Sequence, residues 1–152
     1  MAEYTSNAVQ QVNLNDPILF NTSIPCNRGC IYHEDETGVF ILKGKVNNPT
    51  GSFARFQVTY NGNIAIPVGG TVTPIAVSIA SNGEPKPTSK AIFTPAAAGD
   101  YGNVTSTAII DVPAGCCFSV SVRAVAATND TTVTPAPAIN VQNSNLVVSR
   151  TA

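Results

Sequence analysis

Apolar and polar residues alternate with a period of two through six stretches of the chain: Val39–Val46, Phe53–Tyr60, Ile75–Ile79, Val104–Val112, Phe118–Val125 and Ile139–Val148. Successive side chains of a strand point to opposite faces, so each stretch predicts a strand with one face in a core; helical spacing fits none of them. Less regular strand candidates are Ala8–Leu14, Ile18–Thr22, Ile31–Glu34, Asn63–Val68 and Lys90–Thr94. Turn signals lie between them: Asn15-Asp16-Pro17, Asn47-Asn48-Pro49-Thr50-Gly51, Asn61-Gly62, Gly69-Gly70, Asn82-Gly83, Pro113-Ala114-Gly115 and Asn129-Asp130. Short strands with a turn about every 8 to 12 residues predict an all-β sandwich or barrel. The one long loop is Ala126–Pro137, and no linker or repeat divides residues 1–152, which read as a single domain.

The same alternation sorts faces. In Phe53–Tyr60 the set Ala54, Phe56, Val58 and Tyr60 suits a core, which turns Phe53, Arg55, Gln57 and Thr59 outward. Aromatic and arginine side chains are frequent anchors of protein interfaces, so Phe53 and Arg55 are candidate interface residues. By the same count Phe118, Val120, Val122 and Ala124 face inward, and Ser119, Ser121 and Arg123 form a second candidate interface. Met1–Leu14 reads as an N-terminal tether or an edge strand.

Composition narrows the function. Only 11% of the 152 residues are charged, with a net charge of −1, against about 25% charged residues in an average soluble domain. Thr, Ser and Asn take the place of charge on the surface, and weak mutual repulsion favours self-association. Eight scattered Lys and Arg residues make no basic field for nucleic acid. No apolar run has the roughly 18 residues of a membrane span, so no membrane insertion is expected. The opening MAEYTSNAVQQ has neither the cationic region nor the apolar core of a signal peptide, which implies synthesis in a cytoplasm.

Cys26, Cys30, Cys116 and Cys117 are the sharpest chemical feature. Three readings stand open: buried thiols, one or two disulfides, or a zinc ion held by the four sulfurs, with His33 able to replace one. Adjacent strand residues face opposite ways, so one of Cys116 and Cys117 should be core and the other outward. His33 is the only histidine. Three residues from Cys30, it falls on the other side of an extended strand, a poor geometry for a nucleophile and its base. Glu34-Asp35-Glu36 could offer oxygens to calcium, although a solvated hairpin tip explains the run as well. Asp100 and Asp111 lack a partner at glycosidase spacing, and Gly62, Gly69 and Gly70 make no phosphate loop. No catalytic residues and no resident cofactor are expected.

In order, Gly38–Gly44 (GVFILKG), Phe53–Tyr60, Val77–Pro85 with its Asn-Gly hairpin, Thr105–Gly115 running into a Val-Pro-Ala-Gly turn, Phe118–Val122 and Asn145–Val148 resemble the jelly roll of the complement and tumour-necrosis-factor superfamily. The resemblance covers about residues 38 to 150 and implies a single jelly-roll β-sandwich that packs as a homotrimer about a three-fold axis. The chain as a whole, through NAVQQV, CNRGCIYH, GNIAIPVGGTV, NGEPKP, DVPAGCC and INVQNSNLVV, also resembles small phage and prophage virion proteins of the capsid decoration or head-fibre type. That resemblance implies a non-enzymatic structural protein of the virion. Its partners would be its own copies and the major capsid protein or another virion protein. The alternatives are a receptor- or carbohydrate-binding knob, with Tyr4, Tyr32 and Tyr101 in loops stacking on a host-surface glycan, or a spore-surface trimeric domain.

Overall fold

The computed structural model describes residues 1–25, 30–45 and 52–151. Among them are twelve strands: β1 Ala2–Ser6, β2 Gln10–Asn13, β3 Thr22–Ile24, β4 Ile31–His33, β5 Phe40–Lys43, β6 Phe53–Ala65, β7 Ile75–Ser81, β8 Glu84–Pro85, β9 Ala91–Phe93, β10 Gly102–Pro113, β11 Cys117–Ala126 and β12 Ala138–Arg150. They form two antiparallel sheets. The first runs β10-β6-β12-β1-β3, with β2 also on β12, and the second runs β4-β5-β11-β7-β8, with β9 also on β7.

The two sheets close on one apolar core, in which Phe20, Phe40, Phe56, Tyr60, Leu42, Ile64, Ile79 and Leu146 are fully buried. All six period-two stretches contain a strand. In β6 the inward set is Ala54, Phe56, Val58 and Tyr60, as the alternation predicts, and in β10 it is Val104, Ser106, Ala108, Ile110 and Val112. Asn82 and Gly83 link β7 to β8 with φ of 52° and 84°, the positive values that Asn-Gly hairpins adopt at little cost.

Three expectations are corrected. Asn61-Gly62 is not a hairpin: β6 continues straight through it in register with β10, and a side chain at Gly62 would collide with the Tyr60 hydroxyl and crowd Ser144 Oγ. Gly62 serves close approach, not a turn. Second, Ile139–Val148 does not keep one alternation. A register shift between Gln142 and Asn145, with Asn143 at φ 55°, moves the inward set from Ile139 and Val141 to Ser144, Leu146 and Val148, as a β-bulge must. Third, Ile18–Thr22 is not one strand: Pro17 and Phe20 make isolated bridges to Arg123 and Thr37, and only Thr22 enters a strand, β3, while Ile18 and Phe20 are buried.

Met1–Leu14, read as a tether or an edge strand, supplies two strands of the first sheet. Ala2–Ser6 sits inside the first sheet between β12 and β3, and Gln10–Asn13 pairs with the start of β12.

Candidate functional site

Twelve consecutive register pairs join β10 to β6, and they organise the solvent side of the first sheet. Residues directly opposite each other across an antiparallel pair are within side-chain reach. Arg55 donates to Asp111 through Nε (2.8 Å) and Nη2 (2.9 Å). Thr59 Oγ1 lies 2.6 Å from Thr107 Oγ1, Thr105 Oγ1 donates to Asn61 Oδ1 at 3.0 Å, and Asn103 Nδ2 donates to Asn63 Oδ1 at 3.2 Å. Every one of these pairs is also a register pair. The alternation that fills the core thus stacks four bonded polar pairs down the outer face.

Phe53 and Arg55, predicted as interface residues, stand at one end of this face. Phe53 is 40% exposed, and the Arg55 guanidinium lies 5.0 Å from the centre of its ring. Paired to Asp111, Arg55 is held above its ordinary pKa. The hydrogen bond from Arg55 in turn keeps the Asp111 carboxyl below the usual carboxylate range. Ile109, opposite Gln57, is 48% exposed; the alternation implies its exposure, yet its apolar character kept it off the interface candidates.

The second predicted face is different. Ser121 is 3% exposed and accepts from Arg123 Nε at 3.0 Å. Arg123 Nη1 donates to the Asn15 carbonyl at 2.9 Å. Ser119 N donates to Asn82 Oδ1 at 3.0 Å. The β7 residues opposite Ser121 and Arg123, Ala80 and Ser78, are buried as well. Ser119, Ser121 and Arg123 thus hold this chain's own turns in place, and Ser121 is not accessible to a partner. Sequence periodicity gives a side chain's direction but not what folds over it.

Of the four cysteines, Cys26 lies outside the described residues. Cys30 is buried, while Cys116 and Cys117 are both exposed, against the expectation that one of the pair would be core. β11 begins only at Cys117; Cys116 belongs to the preceding turn, where Gly115 has φ 72°, beyond the end of the core. Among the described residues no three His, Cys, Asp or Glu side chains are grouped to hold a metal ion.

His33 Nε2 donates to the Thr37 carbonyl at 2.9 Å and its ring stacks on Phe40 at 4.2 Å, so it packs the core edge. Glu34–Glu36 form the β4–β5 turn, closed by Thr37 Oγ1 donating to the Glu34 carbonyl at 2.6 Å. Of the tyrosines expected in loops, Tyr4 is instead buried in β1 against Phe40 and His33. Tyr32, in β4, and Tyr101, just before β10, are exposed.

At the end of the sandwich opposite Cys116 and Cys117, residues 66–71 and Thr73 face residues 134–137 of the β11–β12 loop and Ala138 of β12 across a groove of ≈ 550 Å³. Among the described residues its lining contains no charged side chain. Asp130 caps the loop by accepting from Thr132 N (2.9 Å) and Oγ1 (2.7 Å), which holds its carboxyl below the ordinary value.

No family model matches the chain, and no curated protein matches it. Among solved structures it is similar to the globular domain of the zebrafish Complement 1qA protein: TM-score 0.59, 12% identity, 96% of this chain and 94% of that one. It is also similar to the Eiger TNF of S. frugiperda: TM-score 0.61, 10% identity, 100% of this chain and 92% of that one. Identity at this level speaks for the fold alone. The chain is an all-β jelly-roll sandwich of the complement and tumour-necrosis-factor type.

Proposed function

We propose that this jelly roll is a non-enzymatic, self-associating protein whose copies meet through the outer face of β10-β6-β12, forming a homotrimer. The observation that carries the reading is the ladder of bonded pairs from Arg55–Asp111 to Asn63–Asn103. Covering a polar group is costly when it loses water without gaining a partner. Here the polar groups already bond each other, and the cation of the ladder is neutralised by its neighbour, so a second copy can cover them at small desolvation cost. Phe53 and Ile109 add apolar area at the same face.

Within this reading the assembled unit is a phage virion component, a capsid decoration protein bound to the major capsid protein or another shell protein. That part rests on the sequence resemblance described above. The three-fold order rests on the resemblance to trimeric jelly rolls.

The test is sedimentation velocity of the purified chain and of Thr107→Lys, which puts an unpaired cation in the middle of the ladder. The wild type should sediment as a trimer and the variant as a folded monomer. A wild type that stays monomeric at micromolar concentration, or a variant that still associates, overturns the proposal.

A further inference from the structure

The turn between β10 and β11 presents two thiols side by side, and backbone bonds fix it from both ends. Ala114 N donates to the Ser52 carbonyl at 3.0 Å, Gly115 N to the Lys45 carbonyl at 2.9 Å, Cys116 N to the Pro113 carbonyl at 3.1 Å and Gly44 N to the Cys116 carbonyl at 2.9 Å. Cys116 and Cys117 are both exposed on this turn.

Where can each thiol find a disulfide partner? Cys117 is in register with Lys43 of β5, and Lys43 N donates to the Cys30 carbonyl at 2.9 Å on the other side. Cys30 and Cys117 are therefore two strand spacings apart, roughly 9 to 10 Å. A disulfide needs Cα atoms within about 7 Å, so these two cannot bond without moving a strand. Cys116 and Cys117 do not suit a bond to each other either, because consecutive Cα atoms lie about 3.8 Å apart, short of the roughly 4.4–6.8 Å that disulfides span.

We infer that Cys116 and Cys117 form an intermolecular thiol–disulfide site whose partner is the same turn of a second copy. Cys116 and Cys117 are both free thiols that face solvent, and the low charge of the chain lets copies approach with little repulsion. Two adjacent thiols per copy allow each copy to link to more than one neighbour. The turn joins the first sheet to the second, and of its two cysteines Cys117 begins β11 of the second sheet; the covalent readout below keeps this inference separate from the sheet-face association proposed above.

The chemistry is a two-step exchange driven by a low-molecular-weight disulfide. A Cys116 or Cys117 thiolate attacks one sulfur of that disulfide, forming a protein mixed disulfide and releasing a small thiolate, which takes up a proton. A thiolate of the second copy then attacks the protein sulfur of the mixed disulfide and displaces the second small thiol. In sum, two protein thiols are oxidised to one disulfide and the small disulfide is reduced to two thiols.

The experiment incubates the reduced, full-length chain with oxidised glutathione, quenches with iodoacetamide, and resolves it on a non-reducing denaturing gel with peptide mapping by mass spectrometry. The expected result is a ladder of covalent multimers that collapses on reduction. It should persist in Cys26→Ser and be lost in the Cys116→Ser/Cys117→Ser double variant, whose native sedimentation is unchanged. A ladder that survives in the double variant, monomers bearing only glutathione adducts, or peptides linking Cys117 to Cys26 or Cys30 of the same chain would each overturn it.

Discussion

The Tyr60 hydroxyl lies 3.0 Å from the Ser144 hydroxyl inside the sandwich, at the point where β12 takes in its extra residue. Tyr60 is fully buried and Ser144 nearly so, so each hydroxyl answers the other in a place water does not reach. Burial pushes the Tyr60 phenol up to about 12 from 10.0, with the bond from Ser144 pulling slightly the other way.

Tyr60→Phe removes that bond and strands the Ser144 hydroxyl. It should lower stability by about 1–3 kcal/mol, read from the urea midpoint. Ser144→Ala should cost a similar amount, and the double variant less than the sum of the two.

The raised phenol also sets an alkaline limit. A folded-state pKa above the unfolded one means the native state holds the proton more tightly. Its contribution is complete below pH 10.0 and is lost as pH rises toward about 12. Wild-type stability should therefore fall across that window, by on the order of 3 kcal/mol from this group. Tyr60→Phe should show a shallower fall in the same denaturation series; identical slopes would contradict the assignment.

A methyl group at residue 62 has no room beside Tyr60 and Ser144. Gly62→Ala should destabilise by about 1–3 kcal/mol through overpacking, measured as a drop in Tm. Coupling it with Tyr60→Phe, which removes the colliding oxygen, should recover part of the loss.

Ser89, in the short 3-10 turn Pro87–Ser89, accepts from Ile79 N at 3.0 Å and meets Ser78 Oγ at 3.0 Å. Ser89→Ala leaves a buried backbone N–H without its partner, and a loss of about 1–3 kcal/mol is expected. Amide exchange should quicken first at Ile79.

The Arg55–Asp111 pair gives the proposed self-association a sign in acid. A lowered carboxyl pKa means the pair's contribution is present above the ordinary value of 3.8 and is lost as pH falls below it. Association should hold down to about that ordinary value and weaken below it, as Arg55 loses its counter-charge. Asp111→Asn should associate more weakly at neutral pH and show no acid step in sedimentation.

The strong strands were legible because their apolar residues are large and evenly spaced. β6, β10 and β11 follow that pattern over most of their length, and Phe53 and Arg55 stand where the count puts them. β1 was not legible as the inner strand it is: its inward residues Ala2, Tyr4 and Ser6 carry little apolar signal, and backbone pairing with β12 and β3 places it. The Asn61-Gly62 pair reads as a turn because local preference cannot register a tyrosine hydroxyl and a serine arriving from 84 residues away.

By itself the chain determined its class: alternation at period two and regular turn residues commit it to strands with one buried side, since that is the local arrangement that hides its Ile, Val, Phe and Leu. Tertiary structure decided which outward residues remain outward. Arg123 and Ser121 share the outward parity of Arg55 and Thr59, yet the first pair is bonded beneath the Asn15 turn and the second lies open on the β6–β10 ladder. Side-chain direction is a property of two or three residues, whereas exposure depends on every segment that packs over them.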